Sequence, residues 1–317
     1  MRILIVTPAG ARSQSGNRIT AKRWARLVRE SGHHVGIADE YCGQSCDVLI
    51  ALHARKSAKS IGRFHRRQPA SPLIVALTGT DLYRDLKHSA SAARSLERAT
   101  RLVVLQADAI GHLPPGVRAK ARVIVQSAEG LRRAVRPLKN VFEVCVTGHL
   151  RAVKDPFRTA MAARLLPQES RIRVTHIGAA LTESMRRRAE LETRRNPRYG
   201  WLGEVSHARA RMFLARSRLL VVTSRLEGGA NVISEALALG VPVLSSRISG
   251  STGLLGDDYP GLFPVGATRD LADLLWRCER DAAFYRDLQE HCAELAPLVE
   301  PARERRAWCA LLTEIAE

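Results

Sequence analysis

Short apolar segments alternate with longer amphipathic segments along the whole chain, and this alternation limits the possible folds more than any other feature. A helical pattern at residues 20–31 follows the first apolar run, and further helical patterns separate several of the later ones. Such alternation is typical of parallel sheets covered by helices on both faces. We therefore predict an α/β fold with strands at residues 3–7, 35–38, 48–53, 73–78, 102–105 and 122–125 in the first half, and at residues 141–147, 172–177, 199–202, 219–223, 242–246 and 262–264 in the second.

The chain has 317 residues, which is more than a single hydrophobic core normally serves. We predict an N-terminal domain at residues 1–137 and a C-terminal domain at residues 138–296, joined by a basic, proline-containing linker at residues 135–140. Residues 297–317 contain an amphipathic helix at 301–316, and we expect it to pack back on the N-terminal domain. Two doubly wound domains would present the carboxyl ends of their strands to one crevice, so a shared ligand site is expected.

Composition excludes several classes of protein. Hydrophobic residues make up 45% of the chain, but no apolar run approaches the ~20 residues of a membrane-spanning helix, so no membrane partner is predicted. The N-terminus lacks the features of a secretory signal, which favours the cytoplasm. The six cysteines mostly lie in apolar surroundings, as reduced thiols do. Cys42 and Cys46 have no second pair that would complete a zinc site, so we predict neither a metal nor a cofactor.

The formal net charge of +19 indicates an anionic partner, either nucleic acid or a small anionic substrate. The basic residues are scattered along the chain, without a basic tail or interleaved aromatic residues. Aromatic residues are only 5% of the total, which weakens the case for base stacking. We therefore predict small anionic substrates and no nucleic-acid partner.

A stretch in the second half combines a strand, a glycine pair and two glutamates. Glu227, Gly228 and Gly229 follow the predicted strand at 219–223 and precede a predicted helix at 233–239. Backbone amides at the start of a helix carry partial positive charge, and glycines allow a phosphate to approach closely. A diphosphate would fit this loop, while the carboxylates accept hydrogen bonds from sugar and ribose hydroxyls. The predicted donor-binding residues are Gly148, Gly228, Gly229, Ala230, Asn231, Val232 and Glu235.

Cations follow the predicted strand at residues 141–147. Gly148 turns the chain, and Arg151 and Lys154 then place two positive charges near the strand end. Such cations neutralise a leaving diphosphate as its charge develops, and stabilisation that grows toward the transition state accelerates bond breaking. We predict Lys154, Arg151 and Glu227 as the catalytic residues.

Polar loops also follow the strands of the first half. Residues 7–18 form a glycine-containing loop that resembles a phosphate-binding loop, although they contain neither a P-loop nor a G-x-G-x-x-G motif. Residues 51–55 and 77–81 end strands that should share the same sheet edge. The predicted acceptor-binding residues are Gly16, Asn17, Arg18, His53, Thr78, Gly79, Thr80 and Asp81.

The glutamate pair, together with the sequence Glu-Ala-Leu-Ala-Leu-Gly-Val-Pro-Val at residues 235–243, resembles the donor-binding signature of the retaining family 4 glycosyltransferases. This resemblance implies the GT-B fold, in which two Rossmann-like doubly wound domains face a central cleft. It also implies that Glu227 contacts the donor sugar, Glu235 contacts the ribose, and Lys154 binds the diphosphate without a metal. His149 stands where that family usually has arginine, so we expect Arg151 to supply the charge. Thr78 likewise replaces a frequent histidine before Gly-x-Asp.

A closer likeness covers nearly the whole chain. The chain is similar to the selenosugar synthases of selenoneine biosynthesis in six segments, at residues 7–9, 15–18, 52–55, 77–83, 148–156 and 250–256. Members of that group transfer a sugar, typically N-acetylglucosamine from UDP-N-acetylglucosamine, to selenophosphate. The resemblance therefore implies a UDP-sugar donor and a selenophosphate acceptor. A multivalent anion also agrees with a cleft ringed by Arg12, Arg18, Arg55, Arg151 and Lys154.

Three alternatives remain open from the residues. The first is the same transfer to a different acceptor, such as thiophosphate, a small alcohol or a lipid-linked sugar. The second is a sugar-nucleotide sensor that has the fold but no turnover. The third is a basic nucleic-acid-binding protein that uses the net charge of +19.

Overall fold

The computed structural model describes residues 1–11, 13, 15–131 and 135–316, and it divides into two compact units. The first unit contains Met1–Ser127, Glu227–Gly229 and Glu300–Glu317, and the second contains Ala128–Leu226 and Ala230–Val299. The chain thus passes from the first unit to the second ahead of residue 137, the predicted domain end. Arg12, which we expected to line the ligand site, lies outside the described residues.

In the first unit, six strands form one parallel sheet in the order β2-β1-β3-β4-β5-β6. The strands are β1 (Arg2–Val6), β2 (His34–Ala38), β3 (Val48–Leu52), β4 (Leu73–Ala76), β5 (Arg101–Val104) and β6 (Ala121–Val123). The helices are α1 (Gly16–Glu30), α2 (Ala58–Arg67), α3 (Thr80–Tyr83) and α4 (Ala90–Arg98), with short 3-10 helices at Asp85–Lys87, Ala107–His112 and Pro115–Lys120.

Both faces of this sheet are buried, which explains why its central strands are continuous apolar runs rather than alternating ones. All five residues of β3 are buried. Because successive side chains of a strand point to opposite faces, Leu49 belongs to the cluster that contains Phe64 of α2, whereas Ile50 belongs to the cluster that contains Trp24 of α1.

The second unit has the same architecture. Its six parallel strands follow the order β12-β11-β10-β7-β8-β9. The strands are β7 (Phe142–Thr147), β8 (Ile172–Ile177), β9 (Tyr199–Trp201), β10 (Leu219–Val222), β11 (Val243–Ser246) and β12 (Leu262–Phe263). The helices are α5 (Arg158–Ala163), α6 (Glu183–Arg195), α7 (His207–Arg216), α8 (Asn231–Ala238), α9 (Ser249–Leu255), α10 (Thr268–Arg280) and α11 (Ala282–Leu295), with 3-10 helices at Ala152–Lys154 and Ala296–Val299.

The final helix, α12 (Pro301–Glu314), belongs to the first unit and packs on α1. Trp308 meets Trp24 edge to face, with 4.8 Å between the ring centroids. The buried carboxylate of Glu304 accepts hydrogen bonds from Trp24 Nε1 at 2.6 Å, Arg23 Nε at 3.0 Å and the backbone N–H of Ser127 at 2.9 Å. A buried charge needs such partners, so Glu304 fixes α12 to α1 and to the end of the first unit's initial segment.

The predicted α/β class is confirmed, and each predicted strand is present with ends that differ by no more than two residues. The predicted start of the first helix, near residue 20, is wrong. The backbone N–H groups of Arg18 and Ile19 donate to the carbonyl of Ser15 at 3.0 and 3.1 Å, so α1 begins at Gly16. The predicted acceptor residues Gly16, Asn17 and Arg18 therefore form the first turn of a helix.

Candidate active site

The strand order of the second unit creates a switch point beside β7. The chain continues from β7 to β8 and β9 on one side, and then places β10 on the other side of β7. Open α/β sheets bind ligands outside the carboxyl ends of their strands where the order reverses in this way. The loops at this edge are residues 148–157, after β7, and residues 223–230, after β10. They contain most of the residues that we predicted to hold the donor.

Hydrogen bonds join these two loops. Thr223 Oγ1 lies 3.0 Å from the carbonyl oxygens of both Lys154 and Asp155. The backbone N–H of Arg225 donates to the carbonyl of Val153 at 2.8 Å. Asp155 has a φ of 44°, a left-handed conformation that ends the short helix before it. The backbone of Lys154 is therefore fixed at the switch point.

The loop after β7 contains two basic side chains and a histidine. Lys154 is half-buried and Arg151 is exposed. The ring of His149 accepts a hydrogen bond at Nδ1 from the backbone N–H of Ala179 at 3.1 Å. Burial lowers the pKa of His149, and the charges of Arg151 and Lys154 lower it further against the opposing effect of Glu204. Positive charge at this edge therefore comes from Arg151 and Lys154.

A buried histidine and a glycine hold the turn at Gly148. His176 Nε2 lies 3.1 Å from the carbonyl oxygen of Gly148, and its Nδ1 lies 2.9 Å from the hydroxyl of Tyr199. Burial lowers the pKa of His176 to about 4, so the neutral ring donates from Nε2 and accepts at Nδ1. Gly178 has a φ of 152°, and a Cβ there would lie 2.1 Å from the same carbonyl. We did not predict either residue, although a histidine within an apolar strand followed by glycine is a visible signal.

The loop after β10 ends at the N-terminus of α8. Ala230 occupies the N-cap and, within the described part of the chain, provides no side-chain hydrogen bond to the helix. Asn231 and Val232 begin the helix and are half-buried, and its first turn has no acidic residue. The partial positive charge of this terminus is thus not offset by its own side chains, as in helices that bind phosphate groups.

The glycine pair has a steric role in the first unit. A Cβ on Gly228 would lie 2.6 Å from the backbone N of Gly79 and 2.7 Å from the carbonyl oxygen of Thr78. Gly79 has a φ of 137°, and its own Cβ would lie 2.7 Å from the backbone N of Gly228. A Cβ on Gly229 would lie 2.8 Å from Leu105 Cβ. Only glycine permits this backbone contact. The half-buried Glu227 directly precedes Gly228 in the chain.

The second glutamate of the pair has a partner that we did not predict. Glu235 Oε1 lies 2.7 Å from His207 Nε2, at the first residue of α7. Burial raises the pKa of the Cys145 thiol in β7 to about 12, and the carboxylates of Glu143 and Glu235 contribute to that increase. The contact joins residues 28 positions apart on two helices, and no pattern along the sequence indicates it.

In the first unit, the strand order places the corresponding switch point between β1 and β3. The α1 terminus follows β1, and His53 directly follows β3. Gly16 is exposed and Asn17 is half-buried. Arg18 is buried, and its guanidinium lies 3.3 Å from the carboxylate of Asp39. The structure therefore brings the first turn of α1 and His53 to one sheet edge.

His53 is held in a strained backbone conformation. Its φ is 72°, which is uncommon for a residue other than glycine and often marks functional sites. His53 Nδ1 accepts from the backbone N–H of Lys56 at 3.3 Å, so the neutral ring carries its proton on Nε2 and donates to Thr80 Oγ1 at 3.0 Å. Burial lowers the pKa of His53, which favours this neutral form.

Asp81 connects two of these loops through their backbone. Its carboxylate accepts from the N–H groups of Ala54 at 3.0 Å, Thr78 at 3.0 Å and Gly79 at 2.8 Å. The side chain is fully buried. Asp81 therefore orients the loops after β3 and β4, and its oxygens are occupied by the protein.

A family model described as glycosyl transferases group 1 matches residues 128–296, more than half of the chain. The chain belongs to this family of glycosyltransferases. The matched segment contains both loops of the switch point in the second unit, so the family signature and the structural site coincide.

Solved structures show the fold of this glycosyltransferase. Anabaena HepE in complex with UDP-glucose is similar, with a TM-score of 0.80 and 16% identity over 99% of this chain and 100% of the HepE chain. Sucrose-phosphate synthase from Thermosynechococcus elongatus is similar, with a TM-score of 0.78 and 16% identity over 99% of this chain and 98% of the other. An E. coli trehalose-6-phosphate protein bound with UDP-2-fluoro glucose has a TM-score of 0.73 and 12% identity, with 99% of both chains covered. The predicted GT-B class, with two Rossmann-like units, is confirmed.

The described residues of the glycosyltransferase contain no cluster of three or more His, Cys, Asp or Glu side chains suited to a metal ion. None of their helices is both long and apolar enough to span a bilayer.

Proposed function

We propose that this glycosyltransferase transfers N-acetylglucosamine from a UDP-sugar to selenophosphate, giving a 1-seleno sugar and UDP. The donor part of this proposal rests on the two hydrogen bonds from Thr223 to the loop of Lys154. They bring that cation and the α8 terminus to one sheet edge. The structures of HepE with UDP and with UDP-glucose support a uridine nucleotide as the donor.

The second unit would hold the leaving group. In this proposal the diphosphate lies against the N-terminus of α8, and Lys154 and Arg151 neutralise the charge that develops as the bond between the anomeric carbon and the diphosphate oxygen breaks. These interactions strengthen as the bond breaks, so they lower the barrier rather than only binding the donor. Fixed cations of this kind supply the positive charge that a metal ion supplies in other transferases.

The two glutamates would orient the donor. In this proposal Glu227 accepts hydrogen bonds from sugar hydroxyls and is one of the catalytic residues. Glu235 accepts from the ribose, and its carboxylate is held by His207 Nε2 at 2.7 Å. Gly148, Gly228, Gly229, Ala230, Asn231 and Val232 complete the donor-binding set.

The first unit would bind the acceptor. The terminus of α1, formed by Gly16, Asn17 and Arg18, suits an anion. His53 donates to Thr80 and leaves the threonine hydroxyl proton available to donate to an anionic oxygen. Asp81 orients Thr78 and Gly79 through their backbone.

Selenophosphate supports this chemistry because its selenium is already an anionic, soft nucleophile. The selenium–carbon bond forms as the carbon–oxygen bond of the donor breaks, and the electron pair leaves with UDP. No strong general base is then required. The neutral His53, with both ring nitrogens hydrogen-bonded, is consistent with a reaction that needs no general base.

The test is a mass spectrum of the reaction mixture. The protein is incubated with UDP-N-acetylglucosamine and selenophosphate, with thiophosphate and a small alcohol as competing acceptors in parallel. The proposal predicts UDP and a product that contains selenium and the sugar, and the mass also reports whether the phosphoryl group stays on selenium. If UDP were released only with another acceptor, that acceptor would replace selenophosphate in the proposal. If no UDP were released, a sugar-nucleotide sensor would be favoured.

Two substitutions test the residues. Lys154→Ala and Glu227→Ala are each expected to lower turnover by about 10- to 1000-fold, because each removes an interaction that is strongest in the transition state. Lys139→Ala and Glu190→Ala remove the same side-chain types from exposed positions of the second unit and should retain activity. Near wild-type UDP release by Lys154→Ala or Glu227→Ala would remove that residue from the site.

A further inference from the structure

His207 lies against the glutamate that the proposed function places on the ribose. His207 Nε2 is 2.7 Å from Glu235 Oε1, where α7 begins. The histidine side chain is 46% exposed, whereas the glutamate side chain is 12% exposed. The pair therefore has one buried member, which needs a fixed partner, and one accessible member.

The chemistry of the contact fixes its direction. A carboxylate only accepts hydrogen bonds, so His207 carries a proton on Nε2 and donates it. A distance of 2.7 Å is typical of a strong, charge-assisted hydrogen bond. This hydrogen bond engages Oε1, so in the proposed function the other carboxylate oxygen, Oε2, accepts from the ligand.

Without His207, the carboxylate would lose its partner. A mostly buried carboxylate that lacks a hydrogen bond is unfavourable and turns toward water wherever it can. That rotation would move Oε2 away from the position in which it accepts from a ligand hydroxyl. The donor at Oε1 therefore controls the orientation of the acceptor at Oε2.

We propose that His207 is a positioning residue that holds Glu235 in the orientation required to bind the ribose hydroxyls of the nucleotide donor. This inference depends on the proposed function, because that function supplies the ribose. Its specific consequence is that His207 strengthens the binding only of ligands that carry those hydroxyls. A purely structural role would affect all nucleotides equally.

The experiment is a double comparison of ligands and variants. Calorimetry measures the affinity of UDP and of 2′,3′-dideoxyuridine diphosphate for the wild-type protein and for His207→Ala, His207→Gln and Glu235→Ala. His291→Ala is the matched control, because His291 is a similarly exposed histidine of the second unit that contacts a carboxylate, that of Asp287 at 3.2 Å.

We expect the wild type to bind UDP about 10-fold or more tightly than the dideoxy analogue, as for one hydrogen bond to a charged group. His207→Ala should lose about 10-fold in UDP affinity and change little toward the dideoxy analogue. His207→Gln should recover much of the loss, since its amide N–H can replace Nε2–H, and Glu235→Ala should remove the preference altogether.

Three results would overturn the inference. His207→Ala could weaken both ligands equally, which would indicate a structural role. It could also retain the full preference for UDP while Glu235→Ala abolishes it, and then the proposed function would stand without His207. Failure of the wild-type protein to bind UDP at all would remove both proposals together.

Discussion

Replacing Gly228 with alanine tests the backbone contact beside the proposed donor site. The added Cβ would lie 2.6 Å from the backbone N of Gly79, 2.6 Å from the carbonyl carbon of Thr78 and 2.7 Å from its carbonyl oxygen. These are backbone atoms, so no side-chain rotation can relieve the contact. Gly228 itself does not have a positive φ, and the penalty is therefore steric and not conformational.

The size of the effect follows from these distances. Non-bonded atoms prefer separations of about 3.5–4.0 Å, so residues 227–229 must move by about 1 Å. Overpacking of this kind costs about 1–3 kcal/mol of stability. A displacement of about 1 Å beside the reacting groups lowers turnover by about 100-fold. We expect Gly228→Ala to show both effects, with the larger change in kcat/KM.

The assay combines UDP release with thermal unfolding. Gly111→Ala is the matched control, because a Cβ at Gly111 meets nothing within 4 Å and the residue also belongs to the first unit. The control should keep wild-type kcat/KM and Tm. If Gly228→Ala also kept both, the contact between Gly228 and Gly79 would not exist in the working enzyme, and our reading of the glycine pair would be refuted.

Two other predictions concern pH and metal removal. The pKa of His176 is about 4 in the folded chain, against an ordinary value of 6.5. The unfolded chain therefore binds the proton first as pH falls, and about 3 kcal/mol of stability should be lost between about pH 7 and pH 4. Urea unfolding across this range checks the loss, and an equally steep loss in His176→Gln would contradict it. Separately, EDTA should leave turnover within about twofold of its starting value, because the proposed function has Lys154 and Arg151 neutralise the charge of the leaving group; a loss that Mg²⁺ restores would show that a metal takes part.

Sequence patterns were sufficient to locate the strands. The run Val48–Leu52 is apolar because helices cover both faces of the sheet at that strand, and such burial leaves a direct trace in the sequence. The start of α1 was harder to predict from the sequence. Its first turn, at Gly16, Asn17 and Arg18, is polar and has no side-chain cap within the described residues, so it looks like a loop.

The candidate site was only partly predictable. Lys154 and the glycine pair could be named because strand-end cations and helix-terminal glycines are recognisable locally. The residues that hold this loop in place could not be named in this way. Thr223 reaches the carbonyl of Lys154 across 69 residues, and His176 reaches that of Gly148 across 28. Such pairs have no common period or spacing that a sequence pattern could show.

The amino-acid sequence alone determined that the chain forms helix-covered parallel sheets, because hydrophobic periodicity records which faces are buried. It also determined which residues can stand at strand ends. Only the tertiary structure decided that β10 lies beside β7, and with it that Thr223 joins Lys154 and that His207 meets Glu235. Strand order sets which loops become neighbours, and that order depends on packing between elements far apart in the chain.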